Sequence, residues 1–199
     1  NQNKQQVTKG SAKVKIVKNT QEKKSEDLLN EEKQQKVALI LGASGGIGLE
    51  TAKLLLEQNW KVIAHYNSSF RNLQNIKEKR NDNNLLLFKA DINQSNFDTE
   101  LVTFLKRYEL SLDALINALS TPIPNINLEN LDWDDFLNQM NINIKVPLTI
   151  IQNCLKNSLF RSNASLVMIS SQVVEYPSSD WTHYITAKSA LQGFVKSIA

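Results

Sequence analysis

Two kinds of stretch follow one another along most of the chain. Short, nearly continuous apolar runs recur at Lys36 to Leu41, Trp60 to Tyr66, Leu85 to Lys89, Leu112 to Ala118 and Ser165 to Ile169. Runs of this length, bounded by turn residues, suit parallel strands covered on both faces. Between them the apolar residues fall at helical spacing. Ile47, Ala52, Leu55 and Leu56 make one stripe over a helix from about Ile47 to Gln58, and Asn59 suits the left-handed residue that ends it. Phe136, Met140, Asn143 and Ile144 mark a later helix. Tyr184, Ala187, Lys188, Leu191, Phe194, Val195 and Ile198 mark the last. Strands alternating with helices predict an α/β fold, a doubly wound parallel sheet with helices on both faces.

Residues 1–35 break this pattern. They are rich in Asn, Gln and Lys and hold no aromatic residue, so they read as a flexible polar tail or linker ahead of a domain spanning 36–199. A short strand around Val14, Ile16 and Val17 and a short helix from Ser25 to Gln35 are expected within it. The chain's net charge of +3 resides here: through residue 36 there are nine lysines against five acids, which leaves −1 for the remainder. The domain therefore carries no basic surplus that would call for a nucleic-acid partner. No apolar run approaches the ~20 residues of a membrane span, and the tail resembles neither a secretory nor a mitochondrial leader. Cys154 is the single cysteine, which excludes an intrachain disulfide and a cysteine-based metal cluster. It is expected to be a buried small hydrophobe. No metal is expected, and the cytoplasm is the default compartment. Because the chain starts at Asn1 rather than Met, it is expected to be a piece or a processed product.

Three motifs bring chemistry to this framework. The first strand runs into Gly42-Ala43-Ser44-Gly45-Gly46-Ile47-Gly48 and then a helix. Glycines at such a turn let the backbone approach a pyrophosphate, and the helix N-terminus favours its charge. The second strand ends in Tyr66-Asn67-Ser68-Ser69 with Arg71 close by. An acid for a ribose 2′-hydroxyl is missing there, while hydroxyls, an amide and a guanidinium suit a 2′-phosphate; NADP is favoured, with NAD possible. His65 is expected to be a strand-end side chain rather than a catalyst.

The third motif follows the last strand. Ser170 and Ser171 lie at its carboxyl end, and Tyr184 and Lys188 are i, i+4 neighbours on the next helix, for which Thr182 and Asp180 are candidate N-caps. Trp181 and Tyr176 are expected to line the adjoining pocket. A hydroxyl thus faces a phenol and an ammonium. Free tyrosine titrates near 10, and a cation about 4 Å away at an effective dielectric near 20 contributes on the order of 4 kcal/mol, enough to make such a phenol a usable acid. Ahead of this motif, Pro147 has no N–H for the carbonyl of Asn143. That predicts a helix kink with an unpaired carbonyl, or else a helix whose second half begins at Pro147.

Together, Gly42-x3-Gly46-x-Gly48, Asp91 after the third strand, Asp113-Ala114-Leu115-Ile116-Asn117, Asn143 and Ser171…Tyr184-x3-Lys188 resemble the short-chain dehydrogenases/reductases. The step from Ser171 to Tyr184 is similar to that of the 3-oxoacyl-thioester reductases. The resemblance covers roughly Lys36 to Ala199 and implies a Rossmann-fold oxidoreductase reducing a ketone to a secondary alcohol. It makes Tyr184 the general acid. Lys188 promotes proton release from that phenol and holds the nicotinamide ribose. Ser171 orients the carbonyl, and the Asn143 main chain anchors a relay water. Gly42, Ser44, Gly45, Gly46, Ile47, Gly48, Asn67, Ser68, Asp91, Ile92 and Asn117 would surround the cofactor, with Asp91 at the adenine and Asn117 tying the middle of the sheet. The substrate would be a small carbonyl compound or an acyl thioester, and the full-length form a homodimer or homotetramer. The alternatives are an NAD-dependent alcohol or sugar dehydrogenase and a dinucleotide-binding fragment without turnover.

Three departures stand out. Asn117-Ala118-Leu119-Ser120 replaces the family's Asn-Asn-Ala-Gly, so Leu119 and Ser120 either crowd the cofactor ribose or shift the loop. Gly45 stands where many NADP-using relatives have arginine. Family members also continue past the Tyr184 helix with a strand–helix–strand unit of at least ~30 residues. The chain is thus expected to be incomplete at its C-terminus, with the strand at Ser165 to Ile169 an unprotected apolar edge.

Overall fold

The computed structural model describes residues 11–12, 34–80 and 83–199. Five strands run parallel: β2 (Val37–Leu41), β3 (Lys61–Tyr66), β4 (Leu85–Lys89), β5 (Leu112–Asn117) and β6 (Phe160–Met168). A two-residue strand, β1 (Ser11–Ala12), precedes them. The sheet order is β1-β6-β5-β2-β3-β4. The expected strand around Val14 and the helix over 25–35 lie outside the described residues apart from its last positions.

The edge of β6 differs from expectation. Ser11 pairs with Val167 and Ala12 with Leu166, antiparallel, so the outer edge of β6 is partly covered by the polar N-terminal segment. Extended backbone supplies the N–H and C=O groups that such an edge leaves unpaired, whatever its side chains.

β2 shows why a continuous apolar run was needed. All five of its residues are buried, and successive side chains leave the strand on opposite faces. Val37, Leu39 and Leu41 enter one core with Leu101 and Leu105 of α3 (Phe97–Arg107), Ile150 and Cys154 of α5 (Val146–Lys156), and Leu191 of α6 (Thr182–Ile198). Ala38 and Ile40 enter the other with Ala52 and Leu56 of α1 (Gly46–Glu57) and Leu73 of α2 (Arg71–Arg80). Cys154 is fully buried, and desolvation pushes its thiol up to about 12, which leaves it an inert core group. Asn59 adopts a left-handed φ of 61° just past α1, as its position predicts.

β6 starts five residues before the expected strand. Its first half reads Phe160-Arg161-Ser162-Asn163-Ala164, too polar to be recognised as a buried strand. The polarity is compensated across the sheet: Arg161 donates to the Asp113 carboxylate at 2.9 Å, and the same carboxylate oxygen accepts the Val37 amide at 2.7 Å. This knot closes the amino ends of β2, β5 and β6, opposite the cleft.

Candidate active site

The cleft lies at the carboxyl ends of β2, β5 and β6, where a doubly wound sheet leaves a crevice between strands and helices. It measures about 430 Å³, and its walls include Ile47, Leu119, Asn143, Ser171, Trp181, Tyr184 and Lys188.

Beside it lies the turn after β2, which reaches the cleft at Ile47. Gly42 has φ +72°, and a Cβ there would lie 2.8 Å from the Ala118 carbonyl oxygen. At Gly48 a Cβ would fall 2.3 Å from the Gly42 carbonyl oxygen. These two positions require glycine for packing alone. Gly46 differs, because nothing lies within 4 Å of a Cβ placed on it. α1 starts at Gly46, its N-cap is Gly45, no side chain caps it, and no acid occupies its first turn. An open, uncapped helix N-terminus facing a cleft is what a dinucleotide pyrophosphate needs, so this cradle fits the cofactor the sequence implies. Ser44 is half-buried in the same turn and Ile47 is exposed at its rim.

Beyond β3, Asn67, Ser68 and Ser69 are exposed, and Arg71 opens α2 with an exposed side chain. Asp91 accepts the Asn93 amide at 3.0 Å just past β4, and Ile92 is half-buried beside it. Asn117 ends β5, buried; its side chain accepts the Leu119 amide at 3.2 Å and its carbonyl accepts the Ile169 amide at 3.2 Å. The bond to Leu119 turns the chain directly after the strand, so the bulkier residues at 119 and 120 sit in the cleft wall.

His65 is a buried strut. Its Nδ1 lies 3.2 Å from the Gly42 amide nitrogen and its Nε2 3.1 Å from the Ala90 carbonyl oxygen. Desolvation lowers its pKa to about 4, against smaller opposing effects of the Ala90 carbonyl and Asp91.

Helix α4 (Trp133–Met140) leads to a π-helical turn over Asn141–Lys145 and then α5, which has Pro147 in its first turn. The Val146 amide bonds to the Asn141 carbonyl five residues back. The simple kink is thus replaced by a one-residue widening of the ladder, the device by which a helix accommodates a missing N–H. Asn143 is buried in that turn and its side-chain amide donates to the Gln139 carbonyl at 2.9 Å.

Ser171 lies three residues past β6, and its hydroxyl accepts the Val173 amide at 3.4 Å. α6 has Trp181 at its N-cap position with no side-chain cap, so neither Asp180 nor Thr182 caps it as expected. Lys188 is 6 % exposed, donates to the Ile169 carbonyl at 2.8 Å, and lies 5.6 Å from the Tyr184 ring centre. Burial lowers its pKa to about 8. Of the two expected aromatic lining residues, Trp181 is in the wall; Tyr176 is 71 % exposed and is not. The turn between β6 and α6 carries it outward.

Gln139 was not singled out in the sequence. It is buried, lines the cleft, and donates to the Thr121 hydroxyl at 3.2 Å. The signal was available, since a polar residue four positions before Asn143 occupies the same helix face. Among the described residues no group of acids, histidines and cysteine could hold a metal, and no helix is long and apolar enough to cross a membrane.

Comparisons with known proteins fit this geometry. Residues 36–199 match the model of the short chain dehydrogenase family. A benzil reductase ((S)-benzoin forming) of Bacillus cereus is 26 % identical over 166 residues, covering 81 % of this chain and 66 % of that protein. A 3-oxoacyl-(acyl-carrier-protein) reductase of Buchnera aphidicola is 29 % identical over 168 residues, covering 83 % and 66 %. The crystal structure of a carbonyl reductase from Pseudomonas aeruginosa PAO1 in complex with NADP superposes with a TM-score of 0.73 at 25 % identity, covering 82 % of this chain and 72 % of that one. The chain spans about two thirds of the length of the curated relatives it matches.

Proposed function

Because the chain belongs to the short-chain dehydrogenase family, we propose that it is the cofactor-binding and catalytic part of an NADP-dependent reductase that converts a ketone to a secondary alcohol. One observation carries this reading: Ser171, Tyr184 and Lys188, from a strand end and a helix, converge on one cleft, and Ile47, next to the open Gly46, lines that same cleft.

Gly45, Gly46 and Ile47 would receive the pyrophosphate on their amides, Arg71 with Asn67 and Ser68 the 2′-phosphate, and Asp91 with Ile92 the adenine end. When bound, a reduced nicotinamide supplies a hydride for the carbonyl carbon. The remaining work falls to the chain's own groups. The carbonyl oxygen takes a proton from Tyr184 Oη as charge develops on it. Lys188 keeps an ammonium near the phenol below about pH 8 and stabilises the phenolate left behind. The Ser171 hydroxyl orients the carbonyl, and the π turn at Asn143 re-aims backbone into the cleft wall. A small carbonyl compound and an acyl thioester remain the two substrate types in view.

The test is NADPH consumption by the chain with acetophenone or a 3-oxoacyl thioester, against Tyr184→Phe. Consumption that depends on both ketone and Tyr184 supports the reading. Equal rates for the two proteins would refute it.

A further inference from the structure

The start of α6 is tied to the loop after β5 by two bonds. The Trp181 indole N–H donates to the Asn125 side-chain oxygen at 2.5 Å, and the Ile126 amide donates to the Asp180 carbonyl at 3.0 Å. The indole is therefore held at its polar edge by one wall of the cleft while its backbone belongs to the other. So held, its ring packs nearly perpendicular to that of Tyr184, with centres 6.3 Å apart and planes at 85°. Ile123, on the tethered loop, and Val173, after β6, line the same cleft, as does Ile142.

The charges of the cleft limit what it accepts. Among the described lining residues Lys188 is the one charged side chain, and its ammonium is engaged with the Ile169 carbonyl. The polar wall is also occupied with itself, since Gln139 bonds Thr121 and receives the Asn143 amide. These described lining residues offer no guanidinium or second ammonium to a carboxylate or phosphate on the substrate. A flat apolar group would find an indole fixed beside the proposed proton donor.

We propose that Trp181, pinned by Asn125, is the specificity-determining residue of this cleft, a rigid wall that selects uncharged ketones bearing an aromatic or similarly flat apolar substituent. This rests on the reductase reading above and names its substrate class. A preorganised ring discriminates because no ordering of the wall is required when the substrate enters.

Two measurements test it. The first is the ratio of kcat/KM for acetophenone to that for butanone, with NADPH. Trp181→Ala should lower this ratio at least about tenfold, mainly through KM for acetophenone. Asn125→Leu should lower it by a smaller factor, and Asn125→Asp, which keeps an acceptor oxygen, should restore it to within about twofold. An unchanged ratio, with both substrates falling together, would show a merely structural tryptophan and overturn the proposal. The second is saturation-transfer NMR of acetophenone on the chain without cofactor. Transfer to the phenyl protons that disappears in Trp181→Ala supports the wall; transfer that is absent from the parent chain, or survives the substitution, overturns it. If neither ketone nor a 3-oxoacyl thioester is reduced, the reductase reading fails, and the NMR measurement still decides the wall.

Discussion

The His65 ring accepts the Gly42 amide at 3.2 Å on Nδ1, which leaves Nε2 as the protonated nitrogen, aimed at the Ala90 carbonyl 3.1 Å away. One buried imidazole thus joins the turn under the proposed pyrophosphate to the strand end that precedes Asp91. Only the neutral form can do this, because an imidazolium has no acceptor for the Gly42 N–H.

An acid-dependent stability follows. The His65 pKa falls from 6.5 to about 4 on folding, so between those values the unfolded chain binds the extra proton. The stabilisation is complete above pH 6.5 and is lost as pH falls through 4. A shift of this size corresponds to about 3 kcal/mol at about 1.4 kcal/mol per pH unit. Urea denaturation at pH 7 and pH 4.5 should show the parent chain losing more stability than His65→Gln. Equal losses would remove His65 as the cause.

The glycine turn gives a paired prediction. In Gly48→Ala the added methyl meets backbone, 2.3 Å from the Gly42 carbonyl oxygen, and such overpacking costs about 1–3 kcal/mol. Gly46→Ala adds its methyl to open space and gains up to about 1 kcal/mol of helix propensity. That same methyl occupies the room a pyrophosphate needs. Thermal denaturation should rank Gly46→Ala at or above the parent and Gly48→Ala well below it, while both bind NADPH more weakly in a fluorescence titration. Tight NADPH binding by Gly46→Ala would mean that the cradle is not the phosphate site.

These contrasts also show where the sequence was readable. β2 and β3 were legible because burial on both faces demands contiguous apolar residues, and Gly42, Tyr184 and Lys188 because their spacing is local. The first half of β6 was hidden by Arg161, whose charge is acceptable only because Asp113, 48 positions away, comes to 2.9 Å. Pro147 announced a break in the helix ladder, but whether the ladder kinks or widens depends on packing around Asn143. Asn125 gave no signal, since its value lies in a bond to Trp181 across 56 positions. Local patterns mark elements and motifs; pairings between distant loops depend on the assembled sheet.

Removing the Tyr184 hydroxyl separates binding from chemistry. The phenol is proposed to release its proton only as the carbonyl oxygen gains charge, so Tyr184→Phe should lower kcat about 100-fold or more and leave the NADPH dissociation constant within a few-fold. Lys188→Ala should weaken both, because the ammonium is proposed to serve phenol and ribose together. Retention of most activity by Tyr184→Phe would assign the proton to another group.

Lys188 supplies the opposite pH signature to a surface lysine. Its pKa falls from 10.5 in the unfolded chain to about 8 in the fold, because burial penalises the ammonium. Below pH 8 both states carry the charge and the folded state bears its desolvation cost. Between about 8 and 10.5 the folded chain sheds the proton while the unfolded chain keeps it, so this residue's contribution to stability improves as pH rises, by up to about 3 kcal/mol. Other groups titrate in the same range, so the comparison is with Lys188→Met, which keeps the buried stem and has no proton to lose. That variant also leaves the Ile169 carbonyl without its 2.8 Å partner, a cost of about 1 kcal/mol that does not vary with pH. Denaturant titrations at pH 7.5 and pH 9.5 should therefore show the parent gaining on Lys188→Met with rising pH. A constant difference would mean that the ammonium is as well solvated in the fold as in water, and the proposed coupling to Tyr184 through a dry site would lose its basis.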